Sequence, residues 1–465
     1  MTDLAYLGIV EASKLFTSKE LSPVELCQTL LKRIDRLDPK YHAFIRTTPE
    51  LAIDAARTAE AEFSAGRIAG PMQGIPFGLK DIIDLAGIAT TCHSKLFTDL
   101  IADADADVTA RLKAAGGVPM GKLSTHEFAL GGPSYDLPWP PAVNPWGGAH
   151  FPGGSSSGSG VAVTSGMLPA ALGTDTGGSV RNPASMCSIV GMKATYGRVS
   201  RRGVFPLSYS MDHVGPMTRN VADNAALLQV LAGHDVDDPA SANVEVPDFS
   251  AELESGIKGL KIGHVRHFYD GDLEAHPEMA KAVDEAAETL RQLGAEVREV
   301  QLPSLQDFTD CNRIILGSEA YAIHRHWLRD RPEDYAQSTR QRMLNGANIS
   351  AADYIDALRW RSRLIAETDA VMAELDCVIT ASSLDPAARL DDAESLERSY
   401  PRQCRQPFNV TGQPAIAIPA GFSSDGLPLS IQIVGHAWHE ARVYRVAAAY
   451  EQATNWTAQH PPGLD

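Results

Sequence analysis

Two glycine- and serine-rich turns flanking an apolar run constrain this chain most: residues 151–181 read FPGGSSSGSGVAVTSGMLPAALGTDTGGSVR. The first cluster spans Gly153 to Gly158, the second is Gly177-Gly178-Ser179, and Val161 to Leu172 between them is able to bury itself. A flexible linker has no reason to embed its Gly/Ser tracts around such a segment. Glycine permits positive φ and lets a ligand approach the backbone. The stretch therefore predicts two tight turns facing one site.

At 465 residues, 44% of them hydrophobic, the chain can bury a large core, and α/β enzymes of this length often form one unit. A net charge of -17 argues against nucleic acid or an anionic membrane as partner, since both need clustered cations. The short basic runs Arg198 to Arg202 and Arg359 to Arg363 read as solvated faces. Six scattered cysteines without a CxxC pair read as buried thiols, which suits a reducing cytoplasm. The opening MTDLAYLGIVEASK lacks a basic n-region, so no signal peptide is expected, and no run of eighteen apolar residues predicts a membrane span.

Along the chain, Ser22-Pro23-Val24-Glu25 reads as a capping box opening a helix that Asp38-Pro39 ends, and a second helix runs from Pro49 to Ser64. These helices make residues 1–66 an N-terminal helical segment, an outer layer or a homodimer arm, ahead of an α/β core over 67–465. Gly74 to Ile83 predicts a short buried strand with Lys80 in its middle. Asp107 reads as the cap of a helix to Ala115, followed by a strand from Val118 to Gly121; Ser124 with Glu127 reads as a further capping box. Residues 131–154, rich in Pro, Gly and Trp, predict a long loop over or beside the site. Further on, a helix capped by Asn220, a strand from Leu260 to Val265, a helix from Pro277 to Leu293 and a strand from Ala295 to Val300 are expected. The pattern continues with a helix from Ser350 to about Leu375, strands at Cys377 to Thr380, Ala415 to Ile418 and Leu429 to Val434, and a closing helix at Glu440 to Ala453. Such alternation argues for an α/β layered fold around a mixed sheet.

A lysine inside an apolar strand must snorkel, pair with a carboxylate, or lose its proton. With Asp81 and Asp84 beside it, Lys80 is in the ordinary reading an edge-strand or salt-bridged residue. In the functional reading it is a general base: half-neutrality at pH 7 requires lowering a pKa of about 10.4 by about 3.4, on the order of 4.6 kcal/mol, which burial can supply. Gly154-x-Ser156-x-Gly158 fits a nucleophile elbow only if a strand precedes it, and residues 146–152 do not form one. In Asp175-Thr176-Gly177-Gly178-Ser179 a serine after two glycines can expose its hydroxyl, and successive N–H groups can form a nest for an oxyanion. Ser179 is thus either a nucleophile or part of an ordinary turn. His324-x-His326 and His436-x-x-His439 have no third ligand at a typical spacing and no HExxH helix, so they read as satisfied or exposed histidines.

Together these pieces resemble the amidase signature family. The carriers are Gly74 to Asp81 (GIPFGLKD), Pro152 to Gly158 (PGGSSSG), Gly173 to Ala184 (GTDTGGSVRNPA), Gly191 to Ser200, Phe408 to Ala415 and Gly426 to Gly435, in one order over nearly the whole chain. The resemblance implies a layered α/β/α fold around a central mixed β-sheet, with Ser179 as nucleophile, Ser155 as bridging serine after a cis peptide, and Lys80 as base. It places Thr176, Gly177 and Gly178, with the Ser179 amide, in the oxyanion hole, and makes Asp175 and Arg181 structural. It implies no metal and no cofactor. Ser157 stands where many members have glycine.

The implied activity is hydrolysis of a carboxylic amide, with aryl esters and carbamates open to the same acylation; the partners are a small-molecule substrate and water. Tyr135, Leu137, Trp139 and Trp146 are candidates for an aromatic pocket. A rival within the family is the A subunit of the tRNA-dependent amidotransferase, which needs partner subunits to pass ammonia on. A rival from another class is a non-catalytic protein holding a small anion in its Gly-rich loops.

Overall fold

The computed structural model describes residues 4–464. Its centre is one mixed sheet of eleven strands: β1 (Phe44–Thr47), β2 (Pro76–Lys80), β3 (Val118–Leu123), β4 (Ala170–Asp175), β5 (Val190–Lys193), β6 (His213–Thr218), β7 (Lys261–His264), β8 (Glu296–Glu299), β9 (Cys377–Ala381), β10 (Ala415–Phe422) and β11 (Pro428–Gly435). Their spatial order is β1-β3-β2-β4-β6-β5-β10-β11-β9-β7-β8. β3, β2 and β4 run parallel, as do β9, β7 and β8; the strands between pair antiparallel. The parallel pairs β2–β3 and β7–β8 are joined by helices Asp107–Ala114 and Pro277–Gln292, as parallel neighbours require a crossover. The central strands are buried along their whole length, which is why they read as continuous apolar runs rather than alternating ones. The outer strand β8 (EVRE) is largely exposed and charged, which discourages edge pairing with another chain. The layered α/β architecture expected from the sequence is thus the one observed. No helix among the described residues is long and apolar enough to cross a membrane.

Several local expectations change. Residues 1–66 are not purely helical, because β1 joins the sheet edge beside β3. The helix opened by Ser22, whose hydroxyl accepts from Val24 and Glu25 N–H, passes through Pro39 and ends at Tyr41. Proline in the last turn forfeits one backbone bond there, and His42 closes the helix in the left-handed region. Asp107 is the first helical residue rather than a cap; its carboxylate pairs with Arg111 and Arg202. Ser124 and Glu127 form no capping box: Glu127 opens a single 3-10 turn and accepts from Ser94 Oγ and Ala336 N–H. Arg198 is buried and paired with Glu440 at 3.2 Å, whereas Arg202 in the same basic run is exposed. Elsewhere the caps at Asn220 and Ser350 form as read, the latter as a full capping box.

Candidate active site

Lys80 is the last residue of β2, not its middle, and it lies at the carboxyl end of the parallel strands, where open α/β sheets hold their ligands. β2 is an inner strand between β3 and β4, and the Lys80 side chain is 0% exposed. Its Nζ donates to Ser155 Oγ at 2.7 Å and to Thr174 Oγ1, near the end of β4, at 2.7 Å. The edge-strand and salt-bridge readings both fail, since Asp81 is paired with Lys122 at 2.9 Å. With only hydroxyl acceptors, the amine is pushed by burial down to about 7, against the opposing pull of the Asp212 and Asp175 charges.

The first Gly/Ser cluster forms an irregular turn that feeds the helix Ser157–Thr164. The Gly154–Ser155 peptide is cis. Gly154 N–H donates to Asn182 Oδ1 at 2.9 Å, and Ser155 C=O accepts from His126 N–H at 3.1 Å. A side chain at position 154 has no room, because a Cβ there would run into the His126 ring. Ser156, the elbow candidate, bonds the backbone of Thr174 on both sides and no strand precedes it, so it braces β4 instead. Ser157 opens the following helix, its Oγ reaching Ser124 C=O at 3.5 Å.

The second cluster is a turn wound around one carboxylate. Asp175 accepts from Gly178 N–H (2.8 Å), Val180 N–H (3.2 Å), Arg181 Nε and Nη2 (both 3.0 Å) and Asn409 Nδ2 (2.8 Å). Burial alone would raise its pKa; the Arg181 charge and these bonds hold it well below the usual carboxylate range. Arg181 in turn ties the loop to Gln432 of β11 and to Asn409. Thr176 Oγ1 donates to the half-buried Asp212 at 2.6 Å. Because Gly178 N–H is spent on Asp175, it leaves the expected oxyanion set; Gly177 and Ser179 N–H donate to no described residue. Two N–H groups free of partners beside a serine are what a developing oxyanion needs.

Ser179 is 9% exposed at the end of this turn, which is fastened to the first by Ser156 N–H to Ser179 C=O at 3.3 Å. The structure therefore joins Lys80 to Ser155 by their side chains and Ser179 to the same turn by its backbone. The Ser179 hydroxyl itself bonds to no described residue.

Of the aromatic residues expected to form a pocket, Tyr135 is 69% exposed, and Trp146 packs on Phe422 with its indole N–H on Thr164 and Cys187 C=O. The cleft under the 131–154 loop, which includes Leu137, holds only about 10 Å³. The roomy space beside Lys80 is instead a cavity of about 560 Å³ lined by Thr174, Tyr196, Phe205, Leu207, Asp212 and His213. His126 against Gly154, Arg405 against Gly178, Asp212 on the Thr176 hydroxyl and Asn312, whose Nδ2 donates to Thr176 C=O at 3.3 Å, carried no local signal in the sequence, since each arrives from a distant segment.

Residues 25–444 match the model of the Amidase family, and the chain belongs to it. The A subunit of glutamyl-tRNA(Gln) amidotransferase from Geobacter metallireducens is 38% identical over 483 residues, covering 98% of this chain and 99% of that one. Among solved structures, the native peptide amidase of Stenotrophomonas maltophilia is 31% identical with a TM-score of 0.87, covering 98% of both chains. A chain from a vestigial protein complex described as revealing the evolutionary origins of an s-triazine catabolic enzyme is 30% identical at TM-score 0.91, covering 96% of this chain and 99% of its own. The amide-chemistry reading of the sequence holds at the level of the family.

Proposed function

We propose that this chain cleaves the C–N bond of a small carboxamide through an acyl-enzyme on Ser179. The observation that carries the reading is the 2.7 Å bond between Ser155 and a sealed Lys80 whose pKa lies near 7. A neutral amine there takes a proton from Ser155 as Ser155 takes one from Ser179, whose Oγ attacks the carbonyl. The Ser155–Ser179 hydrogen bond that this transfer needs forms on substrate binding, when catalytic bonds tighten. Gly177 and Ser179 N–H receive the oxyanion, while Asp175 and Arg181 hold the turn. The relay then runs backward to protonate the leaving amine, and water releases the acyl group by the same route. Aryl esters and carbamates enter the same acylation.

The curated relatives favour a second reading, the A subunit of a tRNA-dependent amidotransferase, in which the amide is glutamine and the ammonia passes to partner subunits. Both readings share the acylation step and suit a reducing cytoplasm, in keeping with six free buried cysteines. A panel of anilides, primary amides, carbamates and glutamine, assayed with and without amidotransferase partner subunits, separates them. Turnover by the lone chain supports the hydrolase; glutaminase activity that appears only with partners supports the amidotransferase. Turnover retained in Ser179→Ala refutes both.

A further inference from the structure

Lys80 Nζ bonds Thr174 Oγ1 at 2.7 Å, so what stands across from Thr174 bears on how the amine holds its proton. β4 and β6 pair antiparallel, with Thr174 opposite Val214 and Asp175 opposite His213. Carried one residue further, that register sets Asp212 opposite Thr176, and Thr176 Oγ1 donates to Asp212 Oδ1 at 2.6 Å. Side chains two apart on a strand share a face, so Asp212 is the diagonal neighbour of Thr174, roughly 7–8 Å away. Thr174 and Asp212 accordingly line the same cavity of about 560 Å³. Asp175, between the two threonines, is paired instead with Arg181.

The Asp212 carboxylate is fixed but not neutralised. Its Oδ2 accepts from Leu207 N–H at 2.8 Å and Ser208 N–H at 2.9 Å. Burial raises its pKa, and the Thr176, Ser208 and Leu207 hydrogen bonds oppose that rise. No cation forms an ion pair with it among the described residues: Arg201, in the same cavity wall, lies 3.6 Å from Asp238. Tyr196 and His213 line that wall too, and burial keeps both uncharged; Glu319 is taken up by Ser208 and Ser210. The other groups around Lys80 are spoken for. Asp81 pairs with Lys122, burial keeps the Cys92 thiol protonated, and burial with the Lys80 charge keeps His126 neutral. One negative charge at roughly 7–8 Å, in a medium of effective dielectric about 20, favours a protonated amine by about one to two pH units.

Resting on the reading of Lys80 as the base for Ser179 acylation, we infer that Asp212 is the positioning residue of that base: its carboxylate, on the face that Thr174 and Thr176 share, favours the protonated amine. The relay needs a lysine that holds the proton long enough to return it to the leaving amine. Burial without a facing carboxylate makes the amine too weak a base for that.

The test removes the charge and keeps the contacts. In Asp212→Asn the amide oxygen accepts from Leu207 and Ser208 N–H while its NH2 donates to the Thr176 hydroxyl. The acid limb of kcat/KM should move about one unit lower, so that at pH 6 the variant retains about a fivefold larger share of its own plateau than the parent does. A second readout needs no turnover. The stability lost on replacing Lys80 with methionine varies with pH down to the folded-state pKa of the amine and is constant below it. In the Asp212→Asn background that levelling should come about one unit lower, read from urea midpoints. Asp212→Ser, neutral and smaller, gives the same reading if the Asn variant fails to fold. A lowered levelling point with an unmoved kinetic limb supports the role of Asp212 and takes Lys80 out of the acylation step. A levelling point that stays in place overturns the inference, whatever the plateau does, and leaves Asp212 as a brace for Thr176.

Discussion

Replacing Lys80 with methionine keeps a side chain of similar reach and removes the amine, and the consequences for stability have a calculable sign. The amine titrates at 10.5 in a solvated chain and at about 7 here, chiefly because it is buried. Between those values the unfolded chain binds a proton that the folded chain does not. Folded-state stability therefore falls as pH drops from 10.5 to 7 and levels off below. At 1.36 kcal/mol per pH unit the whole window is worth about 5 kcal/mol, of which about 3.5 lies between pH 10 and pH 7. Lys80→Met removes this dependence. It also strips Ser155 and Thr174 of their 2.7 Å partner, at about 1–3 kcal/mol for each buried hydroxyl, but that cost does not vary with pH. The stability of the variant relative to the parent should thus rise by about 3.5 kcal/mol on going from pH 10 to pH 7, read from urea midpoints of both chains at the two values. Parallel pH dependence would refute the reasoning, since it would mean that Lys80 stays charged when folded. Turnover in the same variant should drop by about 10²- to 10⁴-fold.

Other outcomes follow from the same geometry. Parent kcat/KM should fall about tenfold per pH unit below about 7 as Lys80 protonates, and a flat profile down to pH 5 would speak against a neutral base. Asp175→Ala leaves Arg181 buried without its counter-ion and should cost about 3–5 kcal/mol in thermal or chemical denaturation; a loss under about 1 kcal/mol would show that the turn does not depend on the pair. Gly154→Ala drives a methyl into the His126 ring and should destabilise the chain by about 1–3 kcal/mol or more, with turnover lost. Adding His126→Ala should recover much of the stability, and failure to do so would place the strain elsewhere.

The parts of this site that the sequence made legible are those encoded locally. Lys80, Ser155 and the Asp175 to Arg181 turn each sit in a short run whose glycines and polar residues have few other uses. Caps at Ser22, Asn220 and Ser350 were equally readable, because a cap needs only neighbours a few residues away. What escaped depends on distant segments. The partner of Lys80 at Thr174, the Asn409 and Gln432 clamps on the nucleophile turn, and the position of Arg405 all come from long-range packing. The helix Leu305–Asp330, which supplies Asn312, spreads its buried residues too sparsely among polar ones to announce itself as a stripe. Trp146 misled for a related reason: an aromatic residue in a loop suggests a ligand wall, yet its indole N–H was needed to satisfy Cys187 C=O.

Catalysis at this site requires Ser179 to carry the acyl group. Brief incubation with an activated aryl carbamate, followed by fragmentation mass spectrometry, should place a single carbamoyl group on Ser179, with none in Ser179→Ala and slowed labelling in Lys80→Met. A label on Ser155 or Ser156, or undiminished labelling of the Ser179→Ala chain, would contradict it.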